Sequence, residues 1–181
     1  MTNEILSSET VFRGRAFKIQ QDRVQRPNGP QTYDTVHHIG AVAMVPVDSD
    51  GRILFVSQYR HAARHRLLEL PAGTLEEDEP VEETAQRELR EEVGMAPGRL
   101  TKLADFFLAP GYSTERMHIY LAEDLQTDSL AGDEDEELET KRLTLDEAFA
   151  AIHSGEIEDA KTMLGLFLFK EYLTKKELGS A

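Results

Sequence analysis

The sequence predicts one α/β domain preceded by a small β-rich segment, and three observations carry that expectation. Short apolar runs, separated by Asn-Gly, Asp-Gly and Pro-Gly turns, read as strands in the first 60 residues and again beyond residue 100. From Pro80 the apolar spacing becomes four, at Val81, Ala85, Leu89 and Val93, which is helical. The length of 181 residues with 40% hydrophobic content suits a single core without covalent staples.

Val11–Phe17 and Lys18–Val24 carry alternating apolar positions, and Arg26-Pro27-Asn28-Gly29-Pro30 turns the chain into Tyr33–His38. This hairpin-like segment, residues 1–38, is too small for its own core, which predicts that it packs on the rest or on a second subunit. The main domain is expected over residues 39–181. Ile39–Val47 reads as a buried strand, and Asp50-Gly51 turns it into Ile53–Tyr59; the two are expected at the centre of a mixed sheet. Gly73–Asp78 reads as a loop, with Pro80 in the first turn of the helix and Gly94 just past its end. Leu100–Leu108 and Met117–Leu121 follow as strands around a Pro-Gly loop. Gly132–Glu137 is an acidic loop, Leu138–Leu145 a strand, Asp146–His153 a short helix and Asp159–Leu178 a terminal helix.

Thirty-four acidic residues against 20 basic give a net charge of −14, with no basic block. Such a surface repels phosphate backbones and anionic lipids, so neither nucleic acid nor membrane is expected as a partner. The same acidity suits divalent cations, which reverse the local sign and admit a phosphorylated substrate. The absence of cysteine excludes disulfides, thiolate zinc sites and thiol nucleophiles. The N-terminus lacks a signal-peptide pattern and no apolar stretch approaches a membrane span, so the expected location is the cytoplasm.

Glu88, Glu91 and Glu92 stand at i, i+3 and i+4, which puts three carboxylates on one helix face near its C-terminal end. There they repel one another and face the negative pole of the helix, at a cost of about 0.3–1 kcal/mol each. A compensating cation is implied, and oxygen ligands alone point to Mg²⁺ or Mn²⁺. His37-His38 and the pair His61 and His65 have no further ligands in sequence and are weaker metal candidates.

The stretch Gly73–Met95, GTLEEDEPVEETAQRELREEVGM, resembles the Nudix box, G-x5-E-x7-R-E-U-x-E-E-x-G-U with U aliphatic, at every fixed position. The resemblance implies an α/β/α sandwich around a mixed sheet and the hydrolysis of nucleoside diphosphates linked to a second moiety. It makes Glu88, Glu92 and the Ala72 carbonyl metal ligands, with Glu91 a third carboxylate ligand or a water-positioning group. Arg87 holds the carboxylates and Glu79 orients Arg87. Two or three Mg²⁺ ions per site are implied, with Mn²⁺ as the alternative.

Two flanking segments, Ser57-Gln58-Tyr59-Arg60 with Leu68-Glu69-Leu70-Pro71-Ala72-Gly73, and Phe106–Glu115, are similar to those of ADP-ribose pyrophosphatases and related nucleotide-sugar hydrolases. Their marker proline, sixteen residues after the second glycine of the box, falls on Pro110. Arg60, at the end of a strand near the metal helix, is expected to contact the diphosphate. The Pro110-Gly111 loop walls the sugar or base, and Glu115 bonds a ribose hydroxyl or helps to hold a metal, with Ser113 and Thr114 secondary. Related enzymes of this branch imply base stacking by Phe17 or Tyr33. The branch places the general base on a late acidic loop, at Glu134 or alternatively Glu136. It also implies a homodimer through the N-terminal segment. The expected activity is Mg²⁺-dependent cleavage of ADP-ribose to AMP and ribose 5-phosphate. The alternatives are GDP-mannose, another nucleotide sugar or a dinucleoside polyphosphate as substrate, or a non-catalytic nucleotide-sensing Nudix module.

Overall fold

A computed structural model describes residues 3–131 and 138–179 of the chain. The chain divides into two units, Met1–Ala41 with Phe106–Met117, and Val42–Asp105 with His118–Ala181.

The first unit is built on β1 (Ile5–Arg13), β2 (Lys18–Val24) and β3 (Gln31–His37), an antiparallel sheet in the order β1-β2-β3. The expected hairpin is therefore three-stranded. The strand expected over Val11–Phe17 instead begins at Ile5 and stops at Arg13, because the Gly14 N–H donates to the Phe17 carbonyl at 2.9 Å and closes a turn. Residues 5–10 show no alternation to read, since every residue of β1 is exposed. Between β2 and β3 the chain turns at Asn28-Gly29, with Gly29 at φ 105°.

The remaining elements are β4 (Ala41–Pro46), β5 (Ile53–Arg60), β6 (His65–Glu69), β7 (Ala72–Thr74), α1 (Val81–Glu92), β8 (Met95–Ala96), β9 (Arg99–Phe107), β10 (Arg116–Glu123), β11 (Gln126–Thr127), β12 (Glu139–Leu143), α2 (Leu145–Ser154) and α3 (Ala160–Leu178). One sheet has the order β7-β4-β10-β9, another β12-β5-β6, and β11 pairs with β8. Thus β4 and β5, expected together at the centre of one sheet, are interior strands of two different sheets. Their apolar runs report burial on both faces and do not specify which neighbour each strand takes. The loop expected from Gly73 begins inside β7, and β6 is an additional strand in antiparallel register with β5, from Val56↔Glu69 to Arg60↔His65.

The four-residue spacing of α1 buries Ala85 and Leu89 against Val42, Met44, Tyr120 and Ala122, with Val81 and Val93 packed at the margin. Gly94, at φ 68°, takes the left-handed position after the C-cap that a side chain would strain. A reciprocal capping box between Thr144 and Glu147 starts α2, and the Asp159 carboxylate accepts from the Thr162 N–H to start α3. No helix among the described residues is long and apolar enough to cross a membrane.

Candidate active site

The C-terminal half of α1 carries Glu88, Glu91 and Glu92, and the chain's own groups hold all three. Arg87 donates from Nη1 to Glu88 at 2.8 Å and to Glu91 at 3.0 Å. From Nε and Nη2 it donates to the two oxygens of Glu79, each at 3.2 Å, and Glu79 also accepts from the Thr84 hydroxyl at 2.8 Å. One arginine thus offsets part of the repulsion that the spacing creates, before any cation is considered. The bond to Glu79 is the chief reason the Arg87 guanidinium is held above its ordinary pKa, and the same bond holds Glu79 below its own.

Glu92 is nearly buried, 7% exposed, and its Oε2 accepts the Ala72 N–H at 2.9 Å. A Cβ at Gly73 would lie 1.9 Å from the carboxyl carbon of Glu88, so a side chain there would push that carboxylate aside. The backbone of β7 and the acidic face of α1 therefore meet at Ala72-Gly73. Among the described residues, no three Asp, Glu or His side chains converge as a ready set of cation ligands. The chemistry of the carboxylates gathered there nonetheless fits a hard divalent cation, with oxygen donors and no sulfur or imidazole.

Arg60, at the end of β5, is bonded through Nε and Nη2 to both oxygens of Glu69, at 2.7 and 2.8 Å. Glu69 is 1% exposed. Burial pushes its pKa up, but Arg60 and Lys161 outweigh burial and hold it below the ordinary value. The sequence reading assigns Glu69 no role, although a lone carboxylate in the run Leu67-Leu68-Glu69-Leu70 is the kind of charge that burial does not tolerate without a partner.

In the first unit, Tyr33, Pro110, Gly111 and Ser113 share the wall of one cavity of about 650 Å³ with Arg26, Phe107 and Tyr112. The loop before β10 is sewn to β3: the Val36 N–H donates to Tyr112 O at 2.8 Å and the Thr114 N–H to Val36 O at 2.9 Å. Tyr33 accepts from Arg26 Nε at 2.8 Å and donates to Gln31 at 3.0 Å, and the Arg26 guanidinium lies 5.3 Å from the Tyr33 ring centroid. Arg26 and Tyr112 are cavity residues that sequence reading leaves out; isolated on exposed stretches, they carry no local signal. Glu115 and Phe17 do not line this cavity. The Glu115 N–H donates to the Ser113 hydroxyl at 3.1 Å, and the Phe17 ring packs on Phe12 with centroids 6.1 Å apart. Glu134 and Glu136 lie outside the described residues. Three of the candidate histidines have partners elsewhere: His65 pairs with Glu158 at 2.8 Å, His61 Nε2 lies 3.2 Å from Arg64 Nη1, and His38 Nδ1 accepts the Gly40 N–H at 3.1 Å.

An arginine-braced acidic helix beside a glycine-bearing strand, in a mixed α/β fold, defines a class. Residues 37–165 match the NUDIX domain family, and the chain belongs to it, as a Nudix hydrolase. Hydrolases of this family generally need a divalent metal. The chain is 36% identical over 180 residues to an ADP-ribose pyrophosphatase of Bacillus subtilis, covering 98% of this chain and 95% of that one. It is 47% identical over 104 residues to an ADP-ribose pyrophosphatase of Mycobacterium tuberculosis, a match that spans 56% of this chain and only 50% of that protein's length. Among solved structures, an ADP compounds hydrolase superimposes with a TM-score of 0.85 at 31% identity, covering 96% of this chain and 95% of that one.

Proposed function

We propose that the protein cleaves ADP-ribose to AMP and ribose 5-phosphate with Mg²⁺, or with Mn²⁺ in its place. The observation that carries the reading is the acidic face of α1 held against Ala72-Gly73, where a side chain in place of Gly73 would displace the Glu88 carboxylate. The ADP-ribose pyrophosphatases among the relatives support the choice of substrate. Glu88, Glu91, Glu92 and the Ala72 carbonyl would hold two or three ions, which supply neutralisation of the diphosphate charge and a lowered pKa for the attacking water. Arg87 keeps the carboxylates in place, and Glu79 orients Arg87. Arg60 contacts a diphosphate oxygen. Tyr33, Pro110, Gly111 and Ser113 bind the base or sugar, with Glu115 and Phe17 in supporting contacts. Glu134, or alternatively Glu136, takes the proton of the water that attacks phosphorus as the bridging P–O bond breaks. No covalent enzyme intermediate is needed.

In this reading residues 1–38 serve substrate and dimer contacts, and residues 39–181 form the hydrolase domain of a cytoplasmic homodimer. The half-exposed Ile5, Leu6, Val11 and Phe12 of β1 support a partner surface there. The test is product release from ADP-ribose, GDP-mannose, UDP-glucose, a diadenosine polyphosphate and NADH, with Mg²⁺ and with chelator. Mg²⁺-dependent turnover highest on ADP-ribose is the expected result. A maximum on another compound replaces the substrate and keeps the chemistry. Binding without turnover replaces the enzyme with a nucleotide-sensing module.

A further inference from the structure

The start of α3 carries a charge arrangement that the hydrolysis described above leaves unused. The buried carboxylate of Glu69 takes donors from two cations, Arg60 and Lys161, and both Arg60 Nη2 and Lys161 Nζ bond to the same oxygen, Oε2. Lys161 is itself only 12% exposed and lies 3.0 Å from Asp159. The Asp159 carboxylate is fixed in turn by the N–H and the hydroxyl of Thr162, at 2.9 and 2.6 Å. The Thr162 hydroxyl accepts the N–H of Leu70, the residue after Glu69, at 2.8 Å. Two cations and two anions thus alternate along one chain of contacts, anchored to backbone at the Asp159 end.

A buried carboxylate needs one cation to balance its charge. If Arg60 alone served Glu69, its guanidinium would be neutralised where it stands and would have little attraction left for an anion. With Lys161 present the two cations and two anions balance; without it Arg60 alone would face both Glu69 and Asp159. Its side chain is 38% exposed and lies within electrostatic reach of Glu92 on the acidic helix. We propose that Lys161 is a positioning residue for Arg60: by sharing Glu69 and pairing with Asp159 it fixes the guanidinium and keeps the second carboxylate from opposing its contact with the substrate diphosphate. The proposal rests on the reading of Arg60 as a diphosphate contact.

The test is steady-state kinetics of the full chain with Mg²⁺ and the best substrate of the panel, for Lys161→Met, Lys161→Arg, Arg60→Ala and Lys161→Met combined with Arg60→Ala. Lys161→Met should raise KM about tenfold with kcat within about twofold, the pattern of lost uniform binding through a charged contact. Lys161→Arg, which keeps the charge, should restore KM to within about twofold, and in the Arg60→Ala background Lys161→Met should no longer change KM. Should Lys161→Met fail to fold, Lys161→Gln carries the same expectations. A folded neutral variant with unchanged KM and only a lower Tm overturns the proposal, as does an equal rise in KM in the Arg60→Ala background; either makes Lys161 a structural brace. If Arg60→Ala itself leaves KM unchanged, the premise about Arg60 is what fails, and the proposal falls with it.

Discussion

The two units of this chain are made of different material. The first, Met1–Ala41 with Phe106–Met117, holds six basic and five acidic residues; the second holds 14 basic and 29 acidic, so it carries all of the net negative charge. Among the described residues, every buried hydrophobic side chain except Ala41 and Met117 belongs to the second unit. Ten of the fifteen large hydrophobic side chains left exposed belong to the first. The second unit therefore has a core against which an acidic helix face can be held rigid. The first has a cavity and a sheet whose edge strand buries nothing, which suits contact with other molecules more than self-sufficiency. In the proposed function the second unit would hold the metal ligands, and the first the residues that bind base or sugar.

The largest effect that would sharpen or break this division is expected from Gly73→Ala. A methyl group there must displace the Glu88 carboxylate, which it would meet at 1.9 Å, while the helix that carries Glu88 stays anchored by Ala85 and Leu89. If Glu88 holds a metal as proposed, moving it by about 1 Å costs about 100-fold in rate, so kcat should fall by at least that factor with the circular dichroism spectrum retained. Wild-type kcat in Gly73→Ala would mean that Glu88 is free to swing aside and that its contact with β7 does not matter to the reaction.

Next in size is Tyr33→Ala in the first unit. Stacking of a base on an aromatic ring is worth about 1–3 kcal/mol, so KM should rise about tenfold or more, with kcat nearly unchanged. Tyr33→Phe, which keeps the ring and loses only the hydroxyl bonds to Arg26 and Gln31, should stay much closer to wild type. A fall in kcat without a rise in KM would place the chemistry where the division puts only affinity.

The same contrast governs what could be read from the sequence. Helix α1 was legible because three signals agree: apolar spacing of four, Pro80 at its start and Gly94 at its end, and a motif that names its acids. β1 was half legible, because a strand exposed on both faces has no reason to alternate. The assignment of β4 and β5 to different sheets was not legible at all, since pairing is decided by partners far along the chain. The link between Glu69 and Lys161, 92 residues apart, is of the same kind: local pattern shows that a buried acid needs a cation, and only the fold says which one. Arg26 and Tyr112 share a cavity wall for the same reason.

The smallest effect separates stability from activity inside the second unit. Tyr120 packs in the core beneath α1, 3% exposed, and its hydroxyl donates to Glu82 at 2.8 Å. Burial, reinforced by that carboxylate, holds the phenol above its ordinary value of 10.0 in the folded chain. In the unfolded chain it ionises near that ordinary value, so the unfolded state loses its proton first. The contribution of this group is therefore complete below about pH 10 and is lost as the pH rises toward the folded-state value. Tyr120→Phe keeps the ring and removes both the bond and the titration. It should cost about 1 kcal/mol at neutral pH, because Glu82 is exposed and can return to water. It should also flatten the alkaline limb of the stability profile, measured by urea unfolding at neutral pH and at about pH 11, while kcat and KM at neutral pH stay at wild-type values. An alkaline limb as steep as in the wild type would show that other groups set it. A change in kcat would show that the core under α1 bears on the carboxylate face more directly than the braces from Arg87, Ala72 and Gly73 require.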